Sequence, residues 1–447
     1  MSSSDGQGLA DKTMSSSLKA LNWIAGSTIL DKLKIRSQFE RTVFQSTKHG
    51  MRAATSAGRT FSKASSLGKP ARQKSGGKSG LFDLTPTDEQ QMFVEAGQNF
   101  AASDIRPAAA KADAEKETPT RLLAQANEIG VGTLGIPEEF DGVLGENSAV
   151  TWVLIAEVLA HGDPGIAYAA LAPGAVATTI GRWGDADQQA AYLPAFTGES
   201  PPAAALAVLE PDALFSPFAL KTTAEISAEG DWVLNGRKSL VARPGECELF
   251  VVAADTGEEG PALFIVEAGT EGLDFEPEPA MGLRAASTGQ LVLDEVRVPA
   301  AAVLGDEAGR SMSYAECIAG SRVAWSALVS GTSQAVLDYV IPYVNERQAF
   351  GEPVSNRQSV AFQVSDIAIE TGGIRLLTYR AASRADRGET FIREAALARR
   401  LAATKGMEIG SAGVQLLGGH GYVKEHPVER WYRDLRAAGV MEGALLA

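Results

Sequence analysis

Residues 415–422, Gln-Leu-Leu-Gly-Gly-His-Gly-Tyr, lie near the end of the 447-residue chain and decide how the rest is interpreted. Glycines at 418, 419 and 421 allow a backbone to approach a ligand closely. Upstream, Arg347 can clamp a diphosphate, and downstream Glu442 stands beside a glycine, where it can serve as a base. Each has a structural alternative, a helix C-cap for the glycines and a solvated charge for Arg347 or Glu442.

Helical periodicity extends on both sides of this stretch. The pattern predicts helices over 312–347, 359–387, 390–417 and 428–436, at a spacing typical of an antiparallel four-helix bundle. Residues 83–200 are also helical in pattern, with a buried helix over 150–160. Between them, short strands follow the Pro201-Pro202 break, and Asn235-Gly236 predicts a tight hairpin turn.

The fold class is therefore α+β multidomain, with helices, then strands, then helices. We place an extension at 1–80, an N-terminal helical domain at 81–202, a middle β-domain at 203–303 and a C-terminal four-helix bundle at 304–447. With 45% hydrophobic residues, the chain has the composition of a globular protein.

Charge divides the chain in two. Residues 1–80 hold nine lysines and five arginines against four acidic residues, whereas the remaining 367 residues hold 27 basic and 51 acidic ones. A region this acidic does not attract the phosphate backbone of a nucleic acid, so we expect no nucleic-acid binding by the residues after 80. Two cysteines cannot form a disulfide framework, and a reducing compartment follows.

The basic extension carries a candidate amphipathic helix over residues 18–54, followed by a flexible linker over 68–80. It is typical of a segment that contacts an anionic membrane or a partner, of an organelle transit sequence, or of a disordered arm. The chain holds no run of 18 apolar residues that would cross a bilayer. A cytoplasmic location, with membrane association, is the first expectation, and a mitochondrial location is the alternative.

Several familiar motifs fail on context. Residues 130–135 match G-x-G-x-x-G, but a helical pattern precedes them and Pro137 follows, which disfavours a dinucleotide fold. Residues 76–79, Gly-Gly-Lys-Ser, lack the first glycine of a P-loop. Neither G-x-S-x-G nor H-E-x-x-H occurs, and four scattered histidines are too few for a typical zinc site, so we expect no metal.

From residue 84 to residue 443 the chain resembles the flavin-dependent acyl-CoA dehydrogenase family. The resemblance rests on many short segments in the family's order, each weak alone. They are 84–90 (Leu-Thr-Pro-Thr-Asp-Glu-Gln), 105–107, 135–140 (Gly-Ile-Pro-Glu-Glu-Phe), 192–194, 207–211, 281–288, 294–299, and the C-terminal segments 347–351, 358, 415–422, 430–434 and 441–443.

This resemblance implies FAD as cofactor, between the β-domain and the bundle, and an acyl-CoA substrate. Glu442 matches the family's base, which removes the α-proton while a hydride leaves the β-carbon for flavin N5, and Arg322 is implied to lie near the substrate. Some relatives place the acid immediately before that arginine, where this chain has Ser321. Arg347 matches an arginine that reaches a partner's FAD, joined by Phe350, Gln358, Gln415, Gly418 and Gly419.

An oligomer is implied in turn, either a homodimer or a homotetramer, with a heteromer as an alternative. The electron acceptor is expected to be an electron-transfer flavoprotein or another acceptor.

The chain departs from the family on its β-domain side. The family's T-E-P-G-A-G-S-D loop is here Leu-Glu-Pro-Asp-Ala-Leu-Phe-Ser over 209–216, and its K-x-W-I-T segment is Lys-Ser-Leu-Val-Ala over 238–242. Hydroxyl groups that would hold the flavin are therefore missing. Three interpretations stay open: an acyl-CoA dehydrogenase, a non-catalytic or half-site subunit of a heteromeric enzyme, and a membrane-associated scaffold.

Overall fold

The computed structural model describes residues 85–142, 148–198, 200–306 and 309–447. The first helical layer holds six α-helices: α1 (Asp88–Phe100), α2 (Arg106–Glu115), α3 (Thr120–Glu128), α4 (Ala149–Gly162), α5 (Pro164–Trp183) and α6 (Ala186–Phe196). A capping box starts α1, since Thr87 accepts from the backbone of Gln90 and Gln90 reaches back to the backbone of Thr87. The buried helix predicted over 150–160 is confirmed as α4.

Seven strands form the middle layer: β1 (Ala204–Ala207), β2 (Thr223–Ile226), β3 (Trp232–Val241), β4 (Leu249–Asp255), β5 (Pro261–Glu267), β6 (Leu273–Pro277) and β7 (Gly289–Val298). They make one sheet in the order β1-β4-β2-β3-β7-β6, with β5 beside β4. Strand β4 lies between β1 and β5 and is buried almost throughout, because its alternate side chains join two apolar clusters, one on each face of the sheet. The predicted change from helices to strands after Pro201-Pro202 is confirmed.

The predicted hairpin at Asn235-Gly236 is wrong. Both residues lie inside β3, which runs unbroken from Trp232 to Val241 and pairs with β7 across a register shift at this point. The Asn235 side chain accepts a hydrogen bond from the backbone N–H of Glu295 on β7. A Cβ on Gly236 would lie 2.6 Å from the Thr222 hydroxyl, so glycine serves a close approach within the sheet.

The C-terminal layer holds three long helices and a short one: α7 (Arg310–Glu346), α8 (Gln358–Asp386), α9 (Ile392–Leu417) and α10 (Val428–Ala437). These bounds agree with the predicted bundle helices to within two residues. A two-stranded turn follows α7, from β8 (Gln348–Ala349) and β9 (Glu352–Pro353).

Helix α10 is fixed to both other layers, and this sets the path of the chain that leaves it. Arg430 donates to Asp163, the N-cap of α5, over 3.0 Å. Asp434 accepts from the backbone N–H of Leu283 in the β-domain over 2.7 Å. Both aspartates are buried, so these contacts lock the three layers together just before residue 442.

The basic extension, its candidate helix and the Gly-Gly-Lys-Ser segment lie outside the described residues. Among the helices in the described ranges, none is long and apolar enough to cross a membrane.

Candidate active site

Glu442 is held where the bundle meets the end of β1. The carbonyl of the next residue, Gly443, accepts from the Ser321 hydroxyl (2.7 Å) and from the Trp325 indole N–H (2.8 Å), both on α7. Gly443 has a φ of 70°, and a Cβ there would lie 2.3 Å from Val208. Only glycine fits this conformation and this space, so the backbone beside Glu442 has a defined position.

The structure brings together the predicted base, Glu442, and Arg322, the arginine predicted to lie near the substrate. Arg322 donates through Nε to Oε2 of Glu442 (3.0 Å) and through Nη2 to Oε1 (3.0 Å), which is a bidentate pair. The Glu442 side chain is only 11% exposed and that of Arg322 is 20% exposed. Partial burial makes such a pair stronger than one at the surface.

A second arginine, which sequence reasoning missed, contacts the same carboxylate. Arg399 on α9 lies 3.4 Å from Oε1 of Glu442 through its Nε and is 13% exposed. Burial lowers the pKa of the Arg399 guanidinium, Glu442 opposes that shift, and Arg322 adds to it. Helical periodicity could have predicted that Arg399 is partly buried, because it falls between Ala395 and Ala402 on the buried face of α9.

On the β-domain side of this site, segments 209–216 and 238–242 form what we call the β-domain wall. A buried ion pair links the two segments. Lys238 on β3 is fully buried and donates to Glu210 over 2.8 Å. Glu210 also accepts from the backbone N–H groups of Lys221 and Thr222. Burial lowers the pKa of Lys238 to about 8 although Glu210 opposes the shift. These charges satisfy each other and leave none for a ligand.

The front of the wall is apolar, as the altered sequence predicts. Leu209 is buried, and Phe215 packs against the same apolar cluster as Leu209. The carboxylate of Glu278 accepts from the Ser239 hydroxyl and from the backbone N–H of Leu240, each over 2.7 Å. The polar groups of this segment are therefore bonded within the protein.

The second group of predicted residues meets at a separate cleft of about 660 Å³ at the far end of the bundle. Arg347, Gln415, Gly418 and Gly419 line it together. A Cβ on either glycine would meet nothing within 4 Å among the described residues, so both leave space open.

Two predicted residues stand beside this cleft without lining it. Phe350 is 94% exposed in a left-handed conformation with a φ of 56°, and the guanidinium of Arg357 lies 5.0 Å from its ring. Gln358 is the first residue of α8, next to the lining residue Ser359.

The sequence interpretation missed other lining residues, among them Arg357 and Tyr343. The Tyr343 hydroxyl lies 2.8 Å from Nδ1 of His420, a lining residue within the 415–422 stretch.

The two groups are far apart within one chain. Arg322 and Arg347 are separated by 25 residues of the continuous helix α7, or about 37 Å along its axis.

Comparison with known proteins agrees with this architecture. Three profiles match in order: the acyl-CoA dehydrogenase N-terminal domain over residues 87–199, the middle domain over 205–296 and the C-terminal domain over 312–445. An acryloyl-CoA reductase (NADH) from Anaerotignum propionicum is 32% identical, across 81% of this chain and 93% of that protein. The short/branched chain specific acyl-CoA dehydrogenase of Bos taurus mitochondria is also 32% identical, across 80% and 83%.

Solved structures show the same likeness. The butyryl-CoA dehydrogenase of Megasphaera elsdenii superposes with a TM-score of 0.74 at 28% identity, over 81% of this chain and 96% of that one. The order of layers, the three matching profiles and the identity across most of both chains lead to one conclusion. The chain belongs to the acyl-CoA dehydrogenase family of FAD-dependent oxidoreductases.

Proposed function

We propose that the protein introduces an α,β double bond into an acyl-CoA thioester, with Glu442 as the base. The observation that best supports this role is the fixed carboxylate of Glu442. It is nearly buried, bidentate to Arg322, and anchored through Gly443 to helix α7. Such positioning is what proton transfer from carbon needs, because the acceptor oxygen must lie within hydrogen-bond reach of the proton.

The residues of the cleft fit the adenosine diphosphate half of FAD. Two guanidinium groups, of Arg347 and Arg357, suit the diphosphate, and the Gln415 amide adds a donor and an acceptor. The β-domain wall fits the flat ring system of the flavin by apolar contact from Leu209 and Leu240. It offers the ring few hydrogen bonds, because groups such as the Leu240 N–H already bond within the protein. FAD supplies the acceptor for the hydride that leaves the β-carbon.

The remaining chemistry belongs to the chain's own side chains. The α-C–H bond breaks, its proton goes to a Glu442 oxygen, and its electron pair forms the new double bond. Arg322 keeps the carboxylate within the site through its bidentate pair, so little reorganisation is needed at the moment of transfer. The relatives are named for small acyl groups, and we propose a short or branched acyl-CoA as the substrate class.

We further propose that the cofactor site forms between two copies of the chain. The stretch of α7 between Arg322 and Arg347, about 37 Å long (~1.5 Å per residue), supports it, because one FAD would otherwise have to span that length to serve both Arg347 and Glu442 of one chain. Helix α8 also exposes Phe362, Ile369 and Leu376, which recur every seven residues and are each more than half exposed. A stripe of this kind is typical of a helix that packs against another protein surface.

The apolar β-domain wall favours a second candidate, a half-site subunit. Such a subunit would lend Arg347 or Glu442 to a sister chain whose own β-domain binds the flavin with hydroxyl groups. An electron-transfer flavoprotein as acceptor, a cytoplasmic or mitochondrial location, and membrane contact through residues 1–80 stay predictions of the sequence.

The test starts with the visible spectrum of the purified full-length protein. We expect a yellow protein whose flavin absorbance is bleached by butyryl-CoA or a branched acyl-CoA without oxygen. Glu442→Gln should keep the flavin and lose bleaching by at least 100-fold. The matched control is Glu258→Gln, an exposed turn residue, which should behave as wild type.

Bleaching of Glu442→Gln at the wild-type rate would reject Glu442 as the base. A colourless protein that becomes yellow and active only with a sister acyl-CoA dehydrogenase would establish the half-site subunit instead.

A further inference from the structure

The carboxylate of Glu442 is bound unequally at its two oxygens. Within the described chain, Oε1 receives Nε and Nη2 of Arg322 at 3.2 and 3.0 Å and Nε of Arg399 at 3.4 Å. Oε2 receives only Nε of Arg322, at 3.0 Å, and shares that N–H with Oε1. A carboxylate oxygen has two lone-pair sites, so Oε1 is saturated and Oε2 keeps one free.

The contacts of Arg399 do little to stabilise the folded protein. Its hydrogen bond to Glu442 is long, at 3.4 Å, and its Nη1 is buried without a hydrogen-bond partner among the described residues. Together Arg322, Arg399 and Glu442 carry one unbalanced positive charge in a mostly buried place. Burial of an unpaired donor and an excess charge both destabilise the folded state, which argues for a functional reason to keep Arg399.

We propose that Arg399 is a positioning residue which occupies Oε1 of Glu442 and so assigns the proton-accepting role to Oε2. The proposal rests on the proposed function, because it needs Glu442 to be the base. With two cations on different elements, α7 and α9, the carboxylate cannot rotate about its last bond. With Arg322 alone it keeps the bidentate pair but gains freedom to exchange its oxygens.

The test uses the full-length protein, loaded with FAD, in three variants. Arg399→Met removes the charge at similar length, Arg399→Lys keeps a donor for Oε1, and Arg400→Met is the matched control, since Arg400 is the exposed next residue. The readouts are melting temperature, FAD content, and the rate constant of flavin reduction by the acyl-CoA that bleaches wild type fastest. The substrate is used with hydrogen and with deuterium at the α-carbon.

We expect Arg399→Met to keep or raise the melting temperature, because Glu442 stays paired with Arg322 and no charge is left alone. Reduction should be on the order of 10-fold slower at unchanged KM, with a larger deuterium isotope effect, because the oxygen is no longer aimed. Lysine should restore most of the rate, and Arg400→Met should match wild type.

A wild-type rate and isotope effect in Arg399→Met would overturn the proposal. So would a rate loss that is matched by lost FAD and a lower melting temperature, since that is a structural role. If wild type is not bleached by any acyl-CoA, or if Glu442→Gln keeps its rate, the proposed function fails and this inference fails with it. Loss of activity in Glu442→Gln beside an unaffected Arg399→Met rejects only the inference.

Discussion

The bundle cleft and the β-domain segments beside Glu442 offer opposite chemistry to the proposed cofactor. At the bundle cleft, guanidinium and amide groups of Arg347, Arg357 and Gln415 face open space beside two glycines. In the β-domain, Leu209 and Leu240 pack in one apolar cluster, and the nearby polar groups of Glu210 and Glu278 are already bonded to the protein. A cofactor site can therefore take its binding energy from one surface while the other surface supplies shape.

The largest effect should come from breaking the ion pair behind the β-domain wall. Lys238→Met leaves Glu210 as a buried charge with no cation, which should lower the free energy of unfolding by about 3–5 kcal/mol. Thermal and denaturant unfolding measure this loss. Lys221→Met is the control, because Lys221 is 75% exposed in its pair with Asp212 and such pairs contribute about 0–1 kcal/mol. Equal losses in both variants would contradict a closed, buried wall.

A smaller effect should come from the bundle side. Arg347→Met removes a charged donor from the cleft and should weaken FAD binding by about 1.5–3 kcal/mol, roughly 10- to 150-fold in Kd. Flavin fluorescence titration of the apoprotein measures it, with Arg393→Met, 81% exposed, as the control of equal charge. An unchanged Kd would show that the cleft does not hold the diphosphate.

The smallest effect should come from restoring a hydroxyl group to the β-domain wall. Leu209→Thr returns a hydroxyl at the position where the family has one, and should tighten FAD by about 1 kcal/mol, roughly fivefold. The melting temperature of the apoprotein should fall, since the new hydroxyl is buried without a partner until the flavin binds. Ile226→Thr, at a position that is 65% exposed on strand β2, should change neither quantity. A weaker Kd in Leu209→Thr would mean that the ring does not lie against residue 209.

Periodic patterns predicted the helices well and the sheet only in part. Helices α7, α8 and α9 are 26 to 37 residues long, and length of this order makes a 3.6-residue period easy to recognise. Strand β1 is Ala-Ala-Leu-Ala, a sequence that favours a helix when taken alone and becomes a strand only because β4 lies beside it. Asn235-Gly236 has the composition of a turn, yet contacts with Thr222 and Glu295 keep it inside β3.

The residues of the candidate site that lie in short sequence motifs were predicted, and those outside such motifs were not. Glu442 with Arg322, and Arg347 with Gln415, Gly418 and Gly419, were all singled out from short segments, and the structure brings each group together. Arg399 carries no motif, and its contact with Glu442 joins residues 43 positions apart. Contacts of this kind depend on how α9 packs, which no local sequence pattern encodes.

The unbroken course of α7 has a consequence for an assembly of two copies. Helix α7 carries Arg322, the partner of the proposed base, about a third of the way along, and the cleft residue Arg347 directly follows its C-terminal end. In the proposed shared site, FAD bound at one copy's cleft contacts the same helix that positions Glu442 of that copy. Occupancy of the two sites is then thermodynamically linked, and titration of the apoprotein with FAD should be cooperative.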